Sequence, residues 1–158
     1  METDRIEREI EIDAPQERVW EVITEGEHIG VWFGNGEPVK VDLNPGGVMI
    51  IDHGHHGTYL MSIVDVDAPR RFSFRWAAAY HDVLATPENS TLVEFTLEPA
   101  ASGTRLRVTE SGFDALNVPE EMRERVSIEN HSAGWTEVIK RIDRHAHGEE
   151  LSPLVPCE

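Results

Sequence analysis

The stretch DAPQERVW at residues 13–20 decides the fold, because it marks the point where a first strand gives way to a helix. In residues 5–12 apolar and charged side chains mostly alternate, with Arg8 as the exception, and this period of two is typical of a half-buried strand. Asp13 stops the strand, and Gln16 follows three residues later, so the pair predicts a capping box at the start of the helix.

Two short helices precede a run of strands. Helical spacing gives the first helix an apolar stripe of Val19, Trp20, Val22 and Ile23. We expect this helix to end at Gly26 and a second helix to occupy residues 27–32. Turn residues then separate strands predicted at 39–43, 48–52, 58–67 and 71–76. Two more strands follow. Val93, Phe95 and Leu97 mark the first of them, and Leu106, Val108 and Glu110 mark the second. The polar connection at 77–90 is long enough to be functional.

A long helix follows the last strand. Its inner face is marked by Ile128, Trp135, Val138, Ile139 and Ile142. The predicted fold class is α+β, with a curved antiparallel sheet wrapped around the long C-terminal helix and two short helices after the first strand. We expect a single domain over residues 1–147 and a disordered tail over residues 148–158. Such an architecture usually encloses a cavity.

The charge of the chain limits the classes of molecule that it can bind. The sequence carries 30 acidic against 14 basic residues, a formal net charge of −16. Such a surface repels phosphate backbones and anionic lipid, which argues against nucleic acid and membrane partners. No apolar stretch reaches the roughly 20 residues of a membrane span, and the polar start lacks the features of a signal peptide. With Cys157 as its one cysteine, the chain is expected to be cytoplasmic.

The order of short motifs extends from about residue 5 to about residue 146. They are Asp13-Ala14-Pro15 with Val19-Trp20, Trp32-Phe33, Gly46-Gly47, Gly57, Pro69 with Phe74 and Trp76, Gly103-Thr104 with Leu106, Gly112-Phe113, and Gly134-Trp135. This order resembles the START-like, or SRPBCC, superfamily with its helix-grip fold, and within it the C-terminal domain of the activator of heat-shock protein 90 ATPase. The resemblance implies a cavity-forming fold that lipid carriers, plant hormone receptors and polyketide cyclases share. It does not imply a co-chaperone role, because the separate chaperone-binding domain of the eukaryotic activator has no counterpart here.

Two polar residues are candidates for chemistry. Glu110 follows Leu106 and Val108 at a period of two, so we expect it to face the interior, where a carboxylate can act as acid, base or polar anchor. His131 lies one turn before Trp135, so the two share a helix face and His131 can pair with Glu110. The alternative is structural: Glu110 at the cavity mouth or paired with a basic group, and His131 as a satisfied core residue.

Aromatic side chains are expected near the cavity or its mouth. They are Trp32, Tyr59, Trp76, Phe113 and Trp135. Aromatic walls suit flat or lipid-like ligands, although aromatic residues at this spacing often serve only as core packing. Trp76 and Phe113 are the two that we most expect to contact a ligand.

The sequence also contains a histidine-rich loop and lacks several cofactor-binding and nucleophile motifs. His53, His55 and His56 are candidate metal ligands, but a glycine-flanked hairpin loop points side chains in several directions, so we expect no metal site. Dinucleotide, P-loop and nucleophile-elbow patterns are absent from the sequence, and no cofactor is expected.

Three functions are consistent with these observations. The first is a module that binds a small hydrophobic or amphipathic molecule in the cavity. The second is an enzyme, similar to polyketide cyclases, in which Glu110 and His131 transfer protons. The third is an interaction protein without a ligand, such as a homodimer or a chaperone-associated factor, with Trp20 or Val22 exposed on the first helix.

Overall fold

Within the described residues, seven strands form one antiparallel sheet that curves around a long helix. The computed structural model describes residues 5–34, 37–52, 57–77, 82–113, 116, 120–122, 127–149 and 151. The strands are β1 (Arg5–Ile12), β2 (Lys40–Val41), β3 (Val48–Asp52), β4 (Thr58–Asp67), β5 (Arg71–Trp76), β6 (Thr91–Ala100) and β7 (Gly103–Ser111). The helices are α1 (Gln16–Thr24), α2 (Gly26–Phe33) and α3 (Ile128–Ala146), and Glu120–Met122 forms a short 3₁₀ turn.

The first strand of the chain lies beside the last one. The spatial order is β1-β7-β6-β5-β4-β3-β2, and β1 pairs with β7 from Arg5 opposite Ser111 to Ile12 opposite Thr104. The remaining neighbours are joined in sequence order, with an irregularity between Ile63 and Asp65 in β4. This topology confirms the predicted α+β helix-grip fold.

Helix α3 packs its apolar face into the concavity of the sheet. The buried residues on this face are Trp135, Val138, Ile139 and Ile142. Arg8, which interrupts the alternation of β1, donates from Nε to Thr136 Oγ1 at 3.2 Å and from Nη2 to the Ser132 carbonyl at 3.2 Å. The arginine therefore sits on the inner face of β1 because it ties that strand to α3.

The sequence prediction for the start of α1 is wrong in one respect. Pro15, rather than Asp13, is the N-cap of α1, and no side-chain cap hydrogen bond forms. Gln16 is thus the first helical residue, and its Nε2 donates instead to the Pro69 carbonyl at 3.0 Å. A long-range partner has replaced the local capping box, so the side chain joins α1 to the β4–β5 turn.

Other boundaries differ by a few residues or cannot be compared. Helix α1 ends at Thr24 rather than Gly26, and β2 is shorter than the predicted 39–43. The predicted loop at His53, His55 and His56 lies outside the described residues, as does most of the predicted tail. None of the helices among the described residues has an apolar stretch of the length that a membrane span requires.

Candidate functional site

Glu110 is a buried carboxylate that connects the sheet to α3. It lies on β7 after Leu106 and Val108, and all three side chains are buried on one face. Its Oε2 accepts from Thr91 Oγ1 at 2.5 Å, and its Oε1 accepts from Trp135 Nε1 at 2.8 Å. The Nδ1 of His131 lies 2.9 Å from Oε2 and 3.0 Å from Oε1. A buried carboxylate is costly unless donors surround it, and three side chains supply them here.

The ring of His131 is held on several sides. Its imidazole stacks on the indole of Trp76 with 4.8 Å between ring centroids and an angle of 27°. Phe113 meets it edge-on, with centroids 5.5 Å apart. Because Glu110 accepts at Nδ1, the carboxylate fixes the orientation of the ring and favours a proton on that nitrogen. This carboxylate–histidine arrangement can anchor a ligand or support proton transfer.

A pocket lies next to this buried group, between the end of α2, the end of β5 and the middle of α3. Its volume is about 190 Å³. The described residues that line it are Phe33, Trp76, His131, Gly134, Trp135, Glu137 and Val138. Most of the wall consists of aromatic and aliphatic side chains, with the exposed Glu137 on α3 and the buried His131 as the ionisable groups. The arrangement therefore offers an apolar chamber with a few polar groups.

Six of the seven predicted cavity residues occupy three positions relative to this pocket. Trp76, His131 and Trp135 line it, whereas Glu110 lies behind His131 and Trp135. Phe113 and Tyr59 form a supporting layer, since Phe113 contacts the His131 ring and Tyr59 meets the Trp76 ring at 6.3 Å.

Trp32 belongs to the core rather than to this pocket. Its side chain is fully buried, its Nε1 donates to the Val22 carbonyl at 2.7 Å, and its ring meets Phe95 edge-on at 5.8 Å. Val22 is fully buried as well, and Trp20 is half-buried against Phe72, so the apolar surface expected on α1 is not there.

Four residues that line the pocket were not among the cavity residues predicted from the sequence. They are Phe33, Gly134, Glu137 and Val138. Gly134 and Val138 lie three and seven residues after His131, so helical spacing from that residue was a usable signal. Phe33 carries no such signal, because its position depends on how α2 approaches α3.

Trp76 presents an unpaired donor beside the pocket. Its Nε1 is buried and finds no hydrogen-bond acceptor among the described residues. Its ring packs edge-on against Phe33, with centroids 5.2 Å apart, and stacks on His131. Since buried donors are normally satisfied, this group calls for a functional account.

The metal candidates lie elsewhere. The three histidines of the β3–β4 loop are outside the described residues. Within the described part, Glu25, Glu27 and His28 bring one ligand atom each within 4.8 Å of one another. Exposed acidic groups commonly lie this close without an ion, so proximity alone does not indicate a metal site.

The comparisons with known proteins agree on one fold. The family model described as activator of Hsp90 ATPase homolog 1-like protein matches residues 13–147. Protein MLL2253 from Mesorhizobium loti is 21% identical, with a TM-score of 0.71 over 93% of this chain and 99% of that one. DynU16, from the dynemicin biosynthetic locus, is 22% identical, with a TM-score of 0.74 over 96% of this chain and 50% of its own.

A third structural relative is described as a dimer. The Aha1 dimer from Colwellia psychrerythraea is 14% identical, with a TM-score of 0.69 over 91% of this chain and 96% of that one. At such identities the solved structures indicate the fold alone. No curated protein matches the sequence significantly.

Proposed function

The chain belongs to the family of activator of Hsp90 ATPase homolog 1-like proteins, and from that premise we propose that it binds a small hydrophobic or amphipathic molecule. The proposed site is the pocket between α2, β5 and α3. The observation that carries the proposal is an apolar chamber of about 190 Å³ backed by the buried Glu110–His131 pair. Ligand sites in proteins typically combine an apolar wall with a few fixed polar groups.

The size of the pocket favours a ligand of one or two rings. An engineered apolar cavity of about 150 Å³ in another protein accepts benzene, so a chamber of this size can take a somewhat larger molecule. Phe33, Trp76 and Trp135 supply flat surfaces, while Glu110 and Thr91 hold the polar backing in place.

A pair of leucine substitutions on α3 tests the proposal. A Cβ added to Gly134 meets no atom within 4 Å, so Gly134→Leu places new volume in the pocket without a clash at the backbone. Ala133→Leu adds a leucine at the neighbouring exposed position, which does not line the pocket. We expect the parent and Ala133→Leu, but not Gly134→Leu, to gain thermal stability from one- and two-ring aromatic compounds.

Native mass spectrometry gives an independent measurement. The spectrum of the protein as purified is compared with its spectrum after organic extraction, and a bound mass lost on extraction supports the proposal. The proposal fails if no mass is bound and no compound raises the melting temperature of the parent. The same spectrum reports the predicted homodimer, which is supported so far by a relative described as a dimer.

A second candidate function is proton transfer of the kind used by polyketide cyclases. It is favoured by the 2.9 Å separation between His131 Nδ1 and Glu110 Oε2, since a paired carboxylate orients a histidine for acid–base chemistry. In this reaction the base removes a proton from the carbon beside a carbonyl, leaving an enolate that is reprotonated from solvent. Exchange of the methyl protons of acetophenone in D₂O, followed by NMR, measures this step.

The expected result for an enzyme is exchange above the buffer rate that His131→Gln lowers by roughly 100-fold or more. If acetophenone binds but the protein does not accelerate exchange, binding without catalysis is the better description.

A further inference from the structure

Trp76 combines two properties that together specify the chemistry of a ligand. It forms part of the pocket wall, and its indole Nε1 is buried without an acceptor among the described residues. Of the two indole N–H groups in the wall, that of Trp135 donates to Glu110, so that of Trp76 is the one left for a ligand oxygen. A buried donor left without a partner costs free energy, which an acceptor on the ligand would recover.

The charges of the described residues around the pocket disfavour anionic ligands. Among the described residues that line it, none is lysine or arginine, and Glu137 places a carboxylate at its exposed side. Glu110 lies just behind the wall, and the whole chain carries a formal charge of −16. An anionic ligand would therefore lose its hydration without gaining a lysine or arginine as partner.

We propose that the pocket selects an uncharged, flat molecule whose carbonyl-type oxygen accepts a hydrogen bond from Trp76 Nε1. This inference rests on the proposed function, because it names the class of molecule taken by the same pocket. The aromatic rings hold the flat part of the ligand, and the indole N–H selects for the oxygen. A cation would gain from the ring faces and from Glu137 but would leave the indole donor unpaired.

Four molecules of nearly equal shape separate these alternatives. Acetophenone carries the carbonyl oxygen, and α-methylstyrene replaces that oxygen with a CH₂ group. Benzoate supplies the same planar shape with a negative charge, and benzamidine supplies it with a positive charge. We expect acetophenone to bind most tightly, by roughly three- to ten-fold over α-methylstyrene, which is the range expected for one neutral hydrogen bond.

The indole proton itself provides the second measurement. In the ¹H–¹⁵N spectrum of the parent, the Trp76 Nε1–H signal is assigned as the one missing from Trp76→Phe. We expect acetophenone to move this signal downfield and α-methylstyrene not to do so. Trp76→Phe keeps an aromatic ring but removes the donor, so it should abolish the preference for acetophenone. Trp20→Phe, a matched change on α1 away from the pocket, should preserve it.

The outcomes separate this inference from the proposed function. Equal binding of acetophenone and α-methylstyrene, with no distinct shift of the Trp76 signal, overturns the oxygen selectivity while leaving a hydrophobic binding site intact. Tightest binding of benzoate or benzamidine overturns the assignment of an uncharged ligand. Binding of none of the four overturns the inference, and the thermal and mass-spectrometric tests then decide separately whether the pocket binds anything. If Trp76→Phe does not fold, the four-probe comparison and the indole shift in the parent, with signals assigned from backbone connectivities, still decide the matter.

Discussion

Glu110 illustrates how much one buried side chain can determine. Its carboxylate accepts from Thr91 on β6 and from His131 and Trp135 on α3. In Glu110→Gln, an amide NH₂ replaces one oxygen and faces groups that also donate. We expect a loss of about 3 kcal/mol in the free energy of unfolding, measured by urea denaturation, because the buried polar cluster would lose one of its two acceptor oxygens.

Glu94→Gln on the neighbouring strand is the control for this change. Glu94 is half-buried and lies outside the Glu110 cluster, so its substitution should cost less than about 0.5 kcal/mol. A Glu110→Gln protein as stable as the parent would show that the carboxylate is not the acceptor on which the cluster depends.

Single-residue patterns predicted the orientation of this cluster but not all its members. The period of two on β7 turned Glu110 inward, and the one-turn spacing of His131 and Trp135 put both on one helix face. Thr91 could not be foreseen, because its contact depends on the β6–β7 register, in which Val93 lies opposite Glu110. The donor role of Trp135 likewise required the docking of α3 on the sheet.

Between elements, the approach of α2 to the following segment depends on Gly30. A Cβ at this position would lie 1.9 Å from the Glu37 carbonyl oxygen, and a backbone atom cannot move aside as a flexible side chain can. Alanine is favoured over glycine inside a helix by about 1 kcal/mol, yet we expect Gly30→Ala to destabilise the protein by about 2 kcal/mol in urea denaturation. Gly134→Ala, where the Cβ meets nothing within 4 Å, should instead be neutral or stabilising.

The contact between α2 and the end of α3 should make stability depend on pH. His28 Nδ1 lies 2.9 Å from His145 Nε2. Burial lowers the pKa of His145, the neighbouring charges of His28 and Arg18 lower it further, and the backbone of Glu149 partly offsets these effects. The folded pKa is thus below the unfolded value of about 6.5, so the contribution of His145 is present above that pH and is lost as the pH falls through the folded pKa.

The test compares unfolding free energies at about pH 7.5 and about pH 5.5, a range that brackets histidine titration. His145→Gln removes the titrating group and should lose less stability on acidification than the parent does. His28→Gln removes one cause of the lowered pKa and should give an intermediate change. A parent and a His145→Gln variant with equal losses would contradict this account.

Element boundaries were predictable where the pattern was local. The strands β3, β4 and β5 have the bounds that alternation and turn residues indicated. The start of α1 was not predictable from a local pattern, because Gln16 bonds to Pro69 across the fold instead of forming the local capping box. Local signals therefore locate elements well but do not reveal when a tertiary contact replaces a cap.

For the molecule as a whole, the order of elements predicted the fold but not every residue of the pocket wall. Pairing of β1 with β7 follows from the recognisable order of strands and helices. The pocket wall, in contrast, is completed by Phe33, which reaches it only because α2 packs closely on its neighbours. Packing distances of this kind are set by the whole fold, and no short motif encodes them.

Because the chain has a net charge of −16, its acidic side chains repel one another across the whole molecule. On the outer face of β1, β7 and β6, ion pairs reduce this repulsion locally. Arg105 lies 3.3 Å from Glu9, 3.4 Å from Glu11 and 3.0 Å from Glu98. Arg105→Gln and Lys40→Gln both lower the formal charge by one, from −16 to −17, but the exposed Lys40 makes no ion pair among the described residues. Comparing the two separates the local carboxylate cluster from the overall charge.

We expect Arg105→Gln to lower the melting temperature more than Lys40→Gln does at about 10 mM salt, where the Debye length of about 30 Å spans the domain. At about 500 mM salt that length falls to a few ångströms, so repulsion among the three carboxylates is largely screened and the two variants should converge. If Arg105→Gln stays equally destabilised at high salt, packing of the arginine stem rather than its charge stabilises the sheet. If both variants lose the same amount at low salt, the overall charge, and not the cluster around Arg105, sets the electrostatic contribution to stability.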